Sequence, residues 1–126
     1  MIAPIWLLRE AVLTVQEMLI AEFDGATGLR DAGLLESALA RPRNLLAYGQ
    51  PTLPELAASY AFGLVKNHAF MDGNKRIGFL AATLFLELNG LRFSATEADA
   101  VIQTLGLATG DISEAEYASW LAENSS

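Results

Sequence analysis

The chain has 126 residues, 52% of them hydrophobic and 18% charged, with a net charge of -7, a single histidine and no cysteine. That length fits one domain over residues 1–126 with one core; the missing cysteine excludes disulfides, zinc–thiolate sites and thiol nucleophiles, and one histidine gives no basis for a transition-metal centre. The acidic balance argues against direct nucleic-acid binding, which draws its affinity from many lysines and arginines.

The longest uncharged runs, Leu56 to Val65 and Ile77 to Leu86, are too short for a bilayer, which needs roughly 20 apolar residues. No membrane partner is expected. The N-terminus lacks a basic leader and a small-residue cleavage pattern, so the expected location is cytoplasmic. The apolar content exceeds that of an ordinary soluble domain, which leaves surface for a partner.

Ile5, Leu8, Val12, Val15 and Leu19 recur at helical spacing opposite Glu10, Thr14 and Glu17, predicting an amphipathic helix from about 5 to 22 with Pro4 in its first turn. Asp24-Gly25 and Thr27-Gly28 are turn signals. Asp31 suits the N-cap of a second helix through Leu34, Leu35, Ala38 and Leu39, stopped by Pro42. Residues 43–54, with Gly49, Pro51 and Pro54, read as a loop. Leu45, Leu46 and Tyr48 either tuck under the core or form a lip over a site.

Pro54 and Glu55 open a third helix that ends near His68, and Lys75 to Asn89 form a fourth, apolar nearly all round and therefore expected at the centre. Asn89-Gly90 stops it. Thr96 with Asp99, and Ser113 with Glu116, carry capping-box spacing before two more helices. Their inward residues are expected to be Ala98, Val101, Ile102 and Leu105 in one, and Tyr117, Trp120 and Leu121 in the other. Nothing alternates like a strand, so the fold class is all-α, a bundle of about six helices around a central buried one.

Between the third and fourth helices stands His68-Ala69-Phe70-Met71-Asp72-Gly73-Asn74-Lys75-Arg76, which holds the only histidine and one of two lysines, the other being Lys66. The first amides of a helix have no intrahelical acceptor, and the dipole adds positive charge there. Gly73 allows close backbone approach, Asn74 can cap or hold the turn, and Lys75 and Arg76 add full charges, so the natural guest is a phosphate. His68 can accept a proton from a hydroxyl, and Asp72 can hold a magnesium ion that bridges phosphates. Phe70 fits as an apolar anchor of the loop. Each residue also has a plainer reading: a histidine that ends a helix, an aspartate that caps one, a solvated Lys-Arg pair. Their combination favours the site, because Lys75 and Arg76 stand at the unfavourable end of a helix dipole unless an anion arrives.

The stretch from His68 to Arg76 resembles the Fic-superfamily motif His-x-Phe-x-Asp/Glu-Gly-Asn-Gly/Lys-Arg, and more closely its variant in the Doc (death-on-curing) toxins. Gly28 to Leu39, Arg41-Pro42 and Leu86 to Gly90 are also similar to Doc-type sequences. The resemblance implies a Fic-fold helical bundle, ATP and Mg2+ as cofactors, a cognate antitoxin of the Phd-like kind as partner, and a translation component as target. It implies His68 as base, Asp72 as metal ligand, and Gly73, Asn74, Lys75 and Arg76 as phosphate binders.

Most Fic enzymes transfer AMP to a protein hydroxyl, whereas Doc toxins move the terminal phosphate of ATP to a threonine of elongation factor Tu. The AMP-transferring pattern has glycine at position 75 and a second arginine at position 79, where this chain has Lys75 and Phe79. The expected activity is therefore phosphotransfer, with AMP transfer and a catalytically silent binding module as alternatives. Ala69 stands where a proline is common, and Gln16 and Asp24-Gly25 stand where Doc-like chains carry histidine and Gly-Gly. Ser119-x-x-x-Glu123-Asn124 matches a Fic inhibitory pattern, but its arginine partner is missing. That stretch is expected to be the frayed end of the last helix.

Overall fold

The computed structural model describes residues 3–23, 25–26 and 28–126. Among these it contains six helices: α1 (Arg9–Phe23), α2 (Ala32–Ala47), α3 (Leu53–Asn67), α4 (Asn74–Leu88), α5 (Glu97–Thr109) and α6 (Glu114–Glu123). Among the described residues, extended pairing is confined to isolated bridges between Leu29 and Phe70 and between Phe93 and Ser125. No helix among the described residues is long and apolar enough to cross a membrane. The all-helical bundle matches the sequence expectation. Asp24 and Thr27, on which part of the expected turn rests, lie outside the described residues.

The centre of the bundle is α3 rather than α4. Nine of its fifteen residues are buried, including the unbroken run Leu56 to Ala61, against seven in α4. Small side chains explain the difference, because Ala57, Ala58, Ser59 and Ala61 let neighbouring helices close in on every side. At the α3–α4 crossing a Cβ on Gly78 would lie 2.6 Å from Val65 Cγ2 and 3.1 Å from the Ala61 carbonyl oxygen. Tyr60, Phe85, Leu64 and Leu86 complete the core, each large apolar group contributing about 1.5–3 kcal/mol on burial.

The first helix begins later than its periodicity suggests, at Arg9. Ile5 donates its N–H to Asn89 Oδ1 (2.7 Å), Asn89 Nδ2 donates to the Ile5 carbonyl (3.0 Å), and Leu7 donates its N–H to the Tyr60 hydroxyl (3.1 Å). Side chains of α3 and of the α4 terminus thus take up backbone groups that a helix would otherwise need. Ile5 and Leu8 are exposed while Leu7 is buried, the reverse of the expected stripe. Trp6 packs on Phe85 and under Arg43.

The second helix runs through Pro42 to Ala47. Proline removes one hydrogen bond and costs about 3 kcal/mol inside a helix. Tertiary contacts offset it. Leu35, Ala38 and Pro42 are buried, and Arg41 lies over the Phe62 ring and bonds both Glu114 oxygens (2.8 and 2.9 Å) and Ser59 Oγ (3.2 Å). Residues 43–47 are therefore helical, and of Leu45, Leu46 and Tyr48 only Leu46 packs inward, the other two being exposed.

Sixteen residues of α2 span about 24 Å at 1.5 Å per residue. Because α3 returns antiparallel, pairing Arg41 with Ser59 and Leu34 with Asn67, the 48–52 connection lies at the opposite end of the bundle from His68. A lip over the motif is excluded. The connection instead starts α3 with a full capping box between Thr52 and Glu55.

Helix α5 is rotated from its expected setting. Ala100, Thr104 and Leu107 face inward, while Ala98, Val101, Ile102 and Leu105 are exposed. Two polar bonds explain the rotation: Asp99 Oδ2 accepts from Trp120 Nε1 (2.7 Å), and the hydroxyls of Thr104 and Tyr117 pair at 2.9 Å. Asp99 is thereby drawn to α6, and Thr96 caps α5 by accepting from the Asp99 N–H. The end of α6 is tied rather than frayed, since Ser94 N–H donates to the Asn124 carbonyl and Arg92 and Ser126 exchange backbone bonds.

Candidate active site

The motif occupies the junction where α3 ends and α4 begins. His68 closes α3 in the left-handed conformation (φ 51°, ψ 50°), and it is the one non-glycine residue among those described with a positive φ. Such a conformation costs an ordinary residue about 1–2 kcal/mol, so neighbouring contacts must hold it. The loop then buries Ala69 and Phe70 and exposes Met71 and Asp72. Phe70 is 1% exposed and locks the loop to the core.

Asn74 is the clip of this loop. Its Oδ1 accepts from the Phe70 N–H and its Nδ2 donates to the Phe70 carbonyl, both at 3.0 Å. The side chain is thus spent on loop geometry, and any phosphate contact from Asn74 is left to its backbone. Sequence reasoning offered both roles, and the geometry selects the turn-holding one for the side chain. Gly73 caps α4 at φ 80° with no side chain capping the helix, and its own N–H is taken by the Asp72 carboxylate. A Cβ there would be strained and would also meet Leu19 Cδ2 at 3.2 Å.

Lys75 and Arg76 are exposed at this terminus. Lys66, which sequence proximity placed beside them, points elsewhere: its Nζ donates to the Ala108 carbonyl at 2.9 Å. The positive charge that joins the motif comes instead from Arg30, whose Nε donates to the His68 carbonyl (2.7 Å) and whose Nη2 donates to the Asn67 carbonyl (3.0 Å).

Asp72 is exposed, its Oδ1 accepting from the Gly73 N–H (3.2 Å) and its Oδ2 lying 3.5 Å from the Ala26 nitrogen. No group of three His, Cys, Asp or Glu side chains converges among the described residues. A lone carboxylate does not suit zinc, but it does suit magnesium, which keeps water ligands and takes the rest of its shell from phosphates.

Two supporting residues escaped sequence reasoning. Gln16 is 1% exposed; its Nε2 donates to the Ala26 and Asp72 carbonyls and its Oε1 accepts from the Gly28 N–H, each at 3.4 Å. A polar residue between Val12 and Ile20 on the inward face of α1 was the available signal. Arg30 carried none, because its partners lie 37 and 38 residues away.

Beside the site, α1 and α4 enclose an open groove of about 490 Å³ lined by Val15, Leu19, Leu80 and Leu84, with Glu22 and Glu87 among its walls. Leu19 belongs both to this groove and to the surroundings of Gly73. Phe79, one turn into α4, turns away from the motif to pack against Phe93 (5.8 Å between ring centroids) and Trp120 (6.2 Å). Asn124, next to Glu123, accepts at its carbonyl from the Ser94 N–H, so the end of α6 is held beside the 92–94 segment that follows α4.

The family model described as Fic/DOC family matches residues 6–86. A curated relative, Toxin Doc of Mycolicibacterium smegmatis (strain ATCC 700084 / mc(2)155), is 42% identical over 90 residues, covering 69% of this chain. The match spans 66% of that relative's own length.

Proposed function

The chain belongs to the Fic/DOC family, and on that premise we propose that it is the toxin of a toxin–antitoxin pair that moves the terminal phosphate of ATP onto a protein hydroxyl. The observation that carries this reading is the α4 terminus: Gly73 in the left-handed conformation, no side-chain cap, and Lys75 and Arg76 set against the dipole beside an exposed histidine. Such an end is stabilised by a bound polyphosphate.

In the proposed reaction the target hydroxyl oxygen forms a bond to the γ-phosphorus as the bond to the β-γ bridging oxygen breaks. The hydroxyl proton goes to the His68 imidazole, and ADP leaves. Backbone groups at Gly73 and Asn74, with Lys75 and Arg76, hold the phosphates. Asp72 would hold magnesium, which when bound neutralises phosphate charge. Phe70 and the Asn74 side chain fix the loop that carries these groups.

Phosphate transfer is favoured over AMP transfer by positions 75 and 79. Lys75 supplies a cation where the AMP-transferring pattern has glycine, and Phe79 is committed to the cluster with Phe93 and Trp120, leaving no second arginine to anchor the usual nucleotide pose. The target we favour is a translation factor, with a threonine of elongation factor Tu as the first to test. A Phd-like antitoxin helix fits the α1–α4 groove, whose apolar lining suits a helix laid into it. Expression of the chain alone should arrest translation, and His68→Ala should abolish the arrest. Arrest that persists in a folded His68→Ala variant would count against His68 as the base.

A further inference from the structure

We propose that Arg30 is a positioning residue that holds His68 in its left-handed conformation and so aims the imidazole at the incoming hydroxyl. The inference rests on the reading of His68 as the base. Arg30 grips three consecutive carbonyls: its side chain donates to those of Asn67 and His68, and its own N–H donates to that of Ala69 (2.8 Å).

On either side the grip is extended by Asp31, whose N–H also donates to the Ala69 carbonyl, and by Met71, whose N–H donates to the Gly28 carbonyl. Asp31 in turn caps α2 through the Leu34 N–H. The segment that starts α2 is therefore stapled along the segment that ends α3, and the guanidinium lies at the one strained residue.

An arginine at a helix C-terminus satisfies terminal carbonyls and the dipole in any case. Here the carbonyls belong to the last turn of α3 and to the residue with φ 51°, so losing both bonds frees the backbone that carries the base. The phosphate-holding groups lie beyond the loop, at 73–76, and the Arg30 side chain bonds none of them directly. Removing that side chain should misplace the base while leaving the nucleotide where it was.

Arg30 is exposed, and its backbone bonds survive substitution, so Arg30→Ala should fold. Its kcat is expected to fall on the order of 100-fold, the size of effect that a misplacement of about 1 Å produces. The KM for ATP should stay within about two-fold, as expected when ground-state binding is untouched. Arg30→Lys, which reaches one carbonyl instead of two, should recover part of the loss, and Arg30→Ala added to His68→Ala should cost nothing more.

A wild-type kcat in Arg30→Ala, or a full additional loss on top of His68→Ala, would overturn the inference. If the intact chain itself transfers no phosphate, the functional reading fails, and the positioning is then read directly. The only histidine gives one set of NMR signals, whose HN–Hα coupling and Cα shift report φ. A shift toward negative φ in folded Arg30→Ala supports the role, and unchanged values overturn it whatever the activity.

Discussion

Replacing Asn74 with alanine separates a loop clip from a phosphate ligand. The side chain makes two bonds of 3.0 Å to the N–H and C=O of Phe70, a residue 1% exposed. Its removal leaves two buried backbone groups without partners, each costing about 1–2 kcal/mol net. The expected loss is therefore about 2–4 kcal/mol, a large part of the 5–15 kcal/mol that holds an ordinary domain together. Urea unfolding of the nucleotide-free protein should show a lower midpoint with an unchanged slope, and the melting temperature should fall by roughly 6–20 °C. Asn74→Asp keeps an acceptor for the Phe70 N–H but turns an oxygen toward the Phe70 carbonyl, so it should be no better than alanine at neutral pH. Nucleotide-free stability within about 0.5 kcal/mol of wild type, together with lost ATP binding, would refute the clip and restore the side chain as a ligand.

Gly78→Ala should destabilise the protein by about 1–2 kcal/mol, because the clash with Val65 and the Ala61 carbonyl outweighs the roughly 1 kcal/mol gained in helix propensity; thermal unfolding measures it. Burial pushes the Tyr117 phenol from 10.0 to about 12, opposed in part by its bond with Thr104. The neutral form is thus favoured in the fold, so this stabilisation, on the order of 3 kcal/mol, is complete below pH 10 and lost as pH rises through about 12. Tyr60 shifts in the same direction. Urea midpoints across alkaline pH should fall over that range, and Tyr117→Phe should flatten the fall while costing about 1–2 kcal/mol at neutral pH through the unpaired Thr104. Met18→Asp places a charge at a position of the α1–α4 groove that is 67% exposed; antitoxin rescue of growth should weaken while phosphate transfer is retained.

Local chemistry made much of the fold legible. Asp31, Ser113 and Asn89-Gly90 mark helix ends because a capping oxygen or a left-handed glycine acts within a few residues, and the structure has each of these ends where expected. The motif was legible for the same reason, as its residues are contiguous. Long-range contacts defeated the rest. Pro42 failed to stop α2 because Arg41 and its partners on α3 and α6 outweigh one missing hydrogen bond. The outward face of α5 was mistaken for its inward one because Asp99 and Thr104, polar residues, are the side chains that α6 holds. Lys66 and Arg30 exchanged places in the charge pattern, since the chain path brings 28–31 back along 68–71 while Lys66 turns toward the end of α5.

The most direct test of the proposed chemistry is the position of the label that reaches the target. Purified chain with magnesium and elongation factor Tu is given ATP labelled at the γ-phosphate in one reaction and at the α-phosphate in another. Transfer of the γ label alone, absent in His68→Ala, is the result expected from Lys75 at the α4 terminus and Phe79 turned into the aromatic cluster. Transfer of the α label would contradict phosphotransfer and make the chain an AMP transferase despite both residues.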